Sequence, residues 1–433
     1  MGCMDIGHDV GHGENALSTL PRSGVVGRIL VILLVLLVLS PCLALHDGVG
    51  RIKMLLTGRV SEGHLIHTWF LNEPLIDPLF VPSRDVPGGD DQIRRFVRVY
   101  FPRTYEGVQI QDFIIIDGTI INMFTPTNQK WMHDAVLDGS GGLNSRSLLS
   151  GIYYPEWSVS VTQKAFPNDV EALMAQAKDI FRSDRELDII LEENPGLPPV
   201  LTMFRDKNVQ WHLTGYSCGH VIPRQGAIVW AWIKGPFADR ATTKPGCTPH
   251  TISWTYGQGK TWTIHDRLVN WWEDPVANPY GLDMVMNMIL YSTGRELPDD
   301  VELVHEIRSR IIEYRTRQVM ILAVVDFAES FGANMQSILK RMGEVTDKTK
   351  LARDQYLAQD YLLARATYLD AISDLGDLNA LAMRKKDQAM LWVYLVQWFA
   401  VSGTSMLAGS VLWMLMIRRR LYRQVRVTRL IQR

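Results

Sequence analysis

A chain of 433 residues has room for one large domain or two ordinary ones. Its 45 basic and 46 acidic side chains leave a formal net charge of −1, which excludes the strong positive field of a general nucleic-acid binder. Hydrophobic residues make up 47% of the chain, but much of that content is concentrated in two stretches, so the average describes neither the leader nor the folded part.

The first stretch, Ile29–Leu45, follows Arg22 and Arg28 and has the length of a signal-peptide hydrophobic region, with small residues near Ala44 for cleavage. The segment before it is long and rich in Gly and His, so a start at Met4 or later is expected. Residues 1–45 are therefore a leader, read either as a signal peptide or as an uncleaved signal anchor.

From Gly48 to Pro298 the pattern is mixed. Arg51–Thr57 reads as a strand closed by Gly58, and Phe96–Tyr100 alternates and reads as a second. Asp112-Phe-Ile-Ile-Ile-Asp117 is continuously apolar between its acids, the signature of a strand buried on both faces of a parallel sheet. Thr125-Pro126 supplies an N-cap and a proline at the first helical position, with a helix through Leu137 ended by Gly139. Asn168-Asp169 caps a further helix through Ala177. Ala227–Ile233, Thr251–Tyr256 and Lys260–Ile264 are strands, the last two a hairpin across Gly257-Gln-Gly259. Asn278–Thr293 is a helix. Of the tryptophans crowded after Trp211, most belong in a core, and Trp271-Trp272 is the pair expected at the surface.

After Pro298 the pattern turns helical. Asp299-Asp300 caps a helix carrying Val304, Ile307, Ile311 and Tyr314. Leu357, Tyr361, Ala364, Tyr368, Ala371, Leu375, Leu378 and Ala382 step by four and three along a coiled-coil-like seam. Residues 299–387 are either a membrane-proximal stalk, through which copies self-associate, or a helical subdomain packed on the α/β part. The second apolar stretch, Ala389–Ile417, is long enough to cross a bilayer. Arg418, Arg419, Arg420, Arg423, Arg426, Arg429 and Arg433 follow it, which under the positive-inside rule makes 418–433 a cytoplasmic tail and everything between the two apolar stretches extracytoplasmic. The membrane is the first expected partner. Protein partners or further copies of this chain follow, and no nucleic acid is called for.

The order Asp112–Asp117, Thr125–Leu137, Gly139-Ser-Gly-Gly-Leu143, Ser150-Gly-Ile152, then Trp254-Thr-Tyr-Gly-Gln-Gly-Lys260, Asn278-Pro-Tyr-Gly281 and Asp283–Arg295 resembles the class I glutamine amidotransferase-like superfamily. The resemblance spans Arg51–Arg295 and implies a flavodoxin-like layered α/β domain over 48–298. In catalytic members of that superfamily a cysteine occupies a strand-to-helix elbow. Here the matching segment, 143–150, holds Ser145, Ser147 and Ser150 but no cysteine and no G-x-S-x-G frame. The resemblance thus implies a non-catalytic domain that binds or scaffolds.

Two other function classes stay open. Gly215-Tyr-Ser-Cys-Gly-His220 offers a Cys218–His220 nucleophile and base for a hydrolase or amidotransferase, whereas an oxidising compartment pairs Cys218 with Cys247 as a disulfide. A purely structural envelope protein oligomerised through the helices is the third. Asp117, Asn144, Arg146 and Asp169 fall where strands of the expected sheet end and are the ligand-cleft candidates. No motif calls for a cofactor or a metal.

Overall fold

Among the described residues eleven strands, named in chain order, carry the α/β part: β1 (Ile52–Gly58), β2 (Ile76–Pro82), β3 (Phe113–Asp117), β4 (Gly141–Ser145), β5 (Phe181–Arg182), β6 (Leu187–Leu191), β7 (His212–Leu213), β8 (Ser217–Cys218), β9 (Ile228–Lys234), β10 (Cys247–Tyr256) and β11 (Gly259–Ile264). The computed structural model describes residues 50–145, 155–169, 181–182, 187–213, 217–218, 221–234, 244 and 246–431. The leader, residues 170–177 of the helix expected after Asp169, Arg146 and His220 lie outside them. The described residues all belong to one compact unit, His46–Arg433.

Nine strands form one sheet in the order β2-β1-β3-β4-β11-β10-β9-β6-β7, and β5 pairs with β8 in a separate two-stranded sheet. β2, β1, β3, β4 and β11 run parallel to their neighbours, and the pairings β11–β10, β10–β9, β9–β6 and β6–β7 are antiparallel. The expected hairpin is β10–β11, closed where Tyr256 faces Gly259. All five residues of β3 are buried. Its isoleucines divide between two cores: Ile115 packs with Ile52, Phe70 and Trp262 on one face, Ile114 and Ile116 with Val97 and Met132 on the other. Each such side chain contributes about 1.5–3 kcal/mol of burial free energy.

The helices are α1 (Leu65–Asn72), α2 (Gly89–Tyr100), α3 (Tyr105–Gln109), α4 (Pro126–Asp138), α5 (Pro155–Val159), α6 (Gly281–Ser292), α7 (Val301–Ser330), α8 (Gln336–Leu357) and α9 (Tyr361–Ile431). α4 begins as expected, with the Thr125 hydroxyl accepting from the Asn128 N–H at 3.1 Å. Two expectations fail. Phe96–Tyr100 is not a strand but the last turns of α2, because Ile93 and Val97, four apart, are its buried residues and Asp90 and Asp91 occupy its first turn. The strand on that side of β1 is β2, which sequence reading passes over because Pro78 and Pro82 resemble turn punctuation. Prolines are tolerated there because β2 is an edge strand. Trp271 and Trp272 are buried, not exposed, at 3% and 1% accessibility.

The glycine pair of β4 has a packing cause. A Cβ on Gly141 would stand 2.5 Å from the Phe113 ring and 2.9 Å from Ser292 Cβ. Gly141→Ala is therefore expected to cost about 1–3 kcal/mol, measured as a shift in the denaturant midpoint at constant slope.

The helical part packs on the α/β part. Val304, Ile307 and Ile311 of α7 share a cluster with Ala352 and Tyr356 of α8, Ala364 and Tyr368 of α9, and Leu75, which leads into β2. The seam from Ala364 to Ala382 is buried, but it does not run on from Leu357, which closes α8 and turns into α9. Beyond Ala389 the same helix reverses character: Leu391, Trp392, Trp398, Leu407 and Trp413 are 59–76% exposed. α9 thus contains a segment long and apolar enough to cross a membrane, with none of its most apolar window buried in the protein.

Candidate functional site

The five parallel strands end on one edge of the sheet, and the strand order reverses between β1 and β3. Loops leaving the carboxyl ends on either side of such a reversal diverge and open a crevice. Gly58-Arg59 leaves β1 there, Asp117-Gly118-Thr119 leaves β3, Ser145 ends β4, and His265-Asp266-Arg267 leaves β11. Ser83-Arg84-Asp85 leaves β2 alongside them. The approach of β1 to β3 requires glycine at 58, where φ is +112° and a Cβ would sit 1.9 Å from the Asp117 carbonyl oxygen.

Asp117 is fully buried at the centre. The Ser145 hydroxyl donates to its Oδ1. Burial pushes its carboxyl pKa up, against the opposing pull of Ser145, the Arg59 charge and the Leu268 N–H. Among the described residues its Oδ2 has no hydrogen-bond partner, and neither has Nδ2 of buried Asn144. Around this acid stand three guanidinium groups. Arg59, only 4% exposed, directs Nε at the Asp85 carboxylate, while its Nη1 has no partner among the described residues. Arg84 donates from Nη1 to the Gly118 carbonyl at 3.2 Å and lies 3.9 Å from Asp85. Asp85, in the left-handed region at φ 53°, is desolvated, yet the Arg59 hydrogen bond and the charges of Arg59, Arg84 and His64 hold its carboxyl below the usual range. Arg267 is half-buried. Burial, then the charges of Arg59 and Arg84, lower its pKa, with Asp117 and Asp85 opposing.

A second carboxylate closes the cluster. Glu273 is held at the N-terminus of α1, where the Leu65 and Ile66 N–H groups favour its charged form. Burial, reinforced by the charge of Asp117, nevertheless pushes its carboxyl up to about 7. Buried His250 is braced at both ring nitrogens, by Asp266 at 3.1 Å and the Thr251 hydroxyl at 3.0 Å, and the Trp272 ring lies parallel to it. With both nitrogens engaged inside the protein, His250 is a strut rather than a base facing a ligand.

Of the cleft candidates read from sequence, Asp117 and Asn144 come together here and Arg146 lies outside the described residues. Asp169 is joined elsewhere, its N–H donating to the Ile222 carbonyl at 2.7 Å beside the Asn168–Pro223 bridge. Asn168 Oδ1 accepts from the Ile222 N–H at 3.0 Å, and the helix it is expected to cap lies outside the described residues. Cys218 lies in the two-stranded sheet opposite Phe181. Its side chain and His220 are outside the described residues, as is any Cys218–Cys247 pairing. Cys247 is buried where β10 begins. Sequence reading missed Arg59, Arg84, Arg267 and Glu273. The first was available, since it follows a strand already read as ending at Gly58.

No known protein family matches this sequence, and no curated protein matches it. Among solved structures, the chain is similar to Cytoplasmic Protein STM3548 from Salmonella typhimurium, with a TM-score of 0.40 and 18% identity over 56% of this chain and 99% of that one. Cytoplasmic Protein STM1381 from Salmonella typhimurium LT2 gives a TM-score of 0.40 and 15% identity over the same shares. A catalytic mutant of Gan42B, a GH42 beta-galactosidase from G. stearothermophilus, gives 0.32 and 11% identity over 56% of this chain and 30% of its own.

Proposed function

We propose that this chain is a membrane-anchored, extracytoplasmic binding protein whose glutamine amidotransferase-like domain takes a small-molecule ligand at the carboxyl edge of its sheet without transforming it. The observation that carries the reading is the buried polar cluster of Arg59, Asp117 and Asn144, each with a polar atom that has no partner among the described residues, at the point where the strand order reverses. Buried polar groups of this kind are costly unless something satisfies them. The order β2-β1-β3-β4 followed by β11 supports a flavodoxin-like architecture for the parallel half. The arginines after Ile417 support a cytoplasmic C-terminus. The bundle of α7, α8 and α9 then lies between the α/β part and the bilayer.

Native mass spectrometry of the full chain in detergent micelles tests this. The expected result is a small molecule that is retained in the gas phase, released with unchanged mass on denaturation, and equally retained by Cys218→Ser. A covalent adduct on Cys218, or conversion of the ligand that Cys218→Ser abolishes, would replace this reading with the Cys218–His220 enzyme.

A further inference from the structure

We infer that the turn between α7 and α8 is a second membrane contact, with Phe327 and Phe331 set in the lipid headgroup layer beside the point where α9 leaves the bundle. The inference rests on reading α9 as a membrane anchor and adds which face of the folded part meets the bilayer. Phe331 follows the last residue of α7. The Gly332 N–H donates to the Glu329 carbonyl at 2.8 Å and the Ala333 N–H to the Ala328 carbonyl at 3.1 Å. That pair of bonds closes a helix on a left-handed glycine, and Gly332 has φ 81°. Met335, fully buried, joins Ala328 and Ala382 in the core of the bundle. The turn is thus fixed from both sides. Phe327 and Phe331, one helical turn apart, nevertheless stay 45% and 38% exposed, with their rings 4.9 Å apart.

Lys385 of α9 holds the turn at its level, donating to the Asn334 carbonyl at 2.7 Å and the Ser337 hydroxyl at 3.0 Å. Shortly beyond it, Ala389 is the last buried residue of α9 among the described residues, and the apolar stretch begins. A groove of about 570 Å³ opens between turn and helix, lined by Phe331 and Asn334 on one side and by Lys385, Gln388, Leu391 and Trp392 on the other. Phe331 of the turn and Trp392 of the anchor therefore border one space. At a rise of about 1.5 Å per residue, Ala389–Ile417 measures about 43 Å, well beyond a hydrocarbon core of about 30 Å. A span longer than the core is accommodated by tilt, which lowers one flank of the bundle to the surface. The flank carrying the two phenyl rings is the one whose burial there is favourable. Charge at this end is close to balanced, five basic side chains against four acidic ones over residues 326–344 and 384–387. Ring burial rather than attraction to anionic lipid carries the contact. A stable protein partner would need roughly 1,200–2,000 Å² of buried surface, whereas here two rings continue the surface of a membrane-facing helix.

The test places the photoreactive residue p-benzoylphenylalanine at single positions of the full chain, reconstituted into liposomes of phosphatidylcholine. Phe327 and Phe331 are the test positions, and Met406 reports on the span. Leu362, 70% exposed at the opposite end of the bundle, is the reference. All four side chains are exposed, so the larger ring leaves the core intact. The expected result after irradiation is a mass increase of one phosphatidylcholine at 327, 331 and 406, and none at 362. Lipid at 406 but at neither phenylalanine overturns the contact and leaves the anchor standing. Crosslinking of 331 to a second copy of the chain in place of lipid does the same, and makes the turn a protein interface. Lipid at 362 in equal yield to 331 also overturns the contact, because the bundle then lies along the surface. No lipid at 406 removes the anchor, and the contact falls with it.

Discussion

Arg308→Met is expected to cost about 3–5 kcal/mol of stability, the range for removing one partner from a buried ionic group. Arg308 lies on α7 with 6% of its side chain exposed. Its Nε is 2.7 Å from Glu73 Oε2 at the end of α1, and its Nη1 is 2.5 Å from Asp283 Oδ1 on α6. Asp283 is also held by His305 Nδ1 at 2.7 Å. One side chain therefore links the helical part to two separate elements of the α/β part. The gain from such a group is modest, because three charges must be desolvated to form it. The loss on breaking it is large, because Glu73 and Asp283 stay buried without a cation. Arg308→Lys is expected to fall between, since an ammonium is a point charge and cannot fork between two carboxylates. Adding Glu73→Gln and Asp283→Asn to Arg308→Met is expected to restore much of the loss by removing the stranded charges. Denaturant unfolding of the full chain in detergent measures all three. An Arg308→Met variant within about 1 kcal/mol of wild type sinks the claim that this triad joins the two parts.

What the sequence disclosed and what it hid follow from the same physics. β3 was legible because a strand buried on both faces cannot alternate, so five consecutive apolar or terminal residues mark it. The α4 cap, the β10–β11 hairpin and the seam from Ala364 to Ala382 were legible because each depends on residues within a few positions of one another. β2 was hidden because its prolines are acceptable only at a sheet edge, which is a fact of topology. Phe96–Tyr100 misled because a five-residue window cannot separate a period of two from 3.6, whereas the acids at Asp90 and Asp91 and the Ile93–Val97 spacing, read over twelve residues, point to α2. Trp271 and Trp272 read as exposed, and no local pattern in the sequence marks their burial. They sit on a kinked helical turn, where Asn270 leaves helical geometry and both rings reach the core. For the site, Asp117 and Asn144 were readable from strand ends, but Arg84 and Glu273 were not. Arg84 follows the strand that was missed, and Glu273 reaches the cluster through the N-terminus of α1. The link between Arg308, Glu73 and Asp283 spans 235 and 25 residues of sequence, beyond any local pattern.

Glu273→Gln is expected to flatten the pH dependence of stability by about 3 kcal/mol between pH 4.5 and pH 7. Burial and the neighbouring charge of Asp117 raise the Glu273 carboxyl from its ordinary 4.5 to about 7. The folded state therefore holds this proton where the unfolded chain has released it. The corresponding stability is fully present below pH 4.5 and is lost as pH rises through 7, and a shift of this size corresponds to about 3 kcal/mol. Other groups titrate in the same window. Burial lowers His67, with Glu62 opposing, so its contribution has the opposite sign and grows as pH rises. Asp117 titrates with Glu273 as a pair, and the loss of one charge eases the ionisation of the other. The informative quantity is consequently the difference between variant and wild type at each pH, in which His67 cancels. Glutamine keeps an oxygen acceptor for the Leu65 and Ile66 N–H groups while removing the proton-dependent charge, so α1 keeps its start. Denaturant midpoints at half-unit steps from about pH 4 to 8 should show the variant gaining on wild type as pH rises through that window. Curves that stay parallel across it would mean that Glu273 ionises at its ordinary pH, and that water or a cation reaches it at the mouth of the cleft.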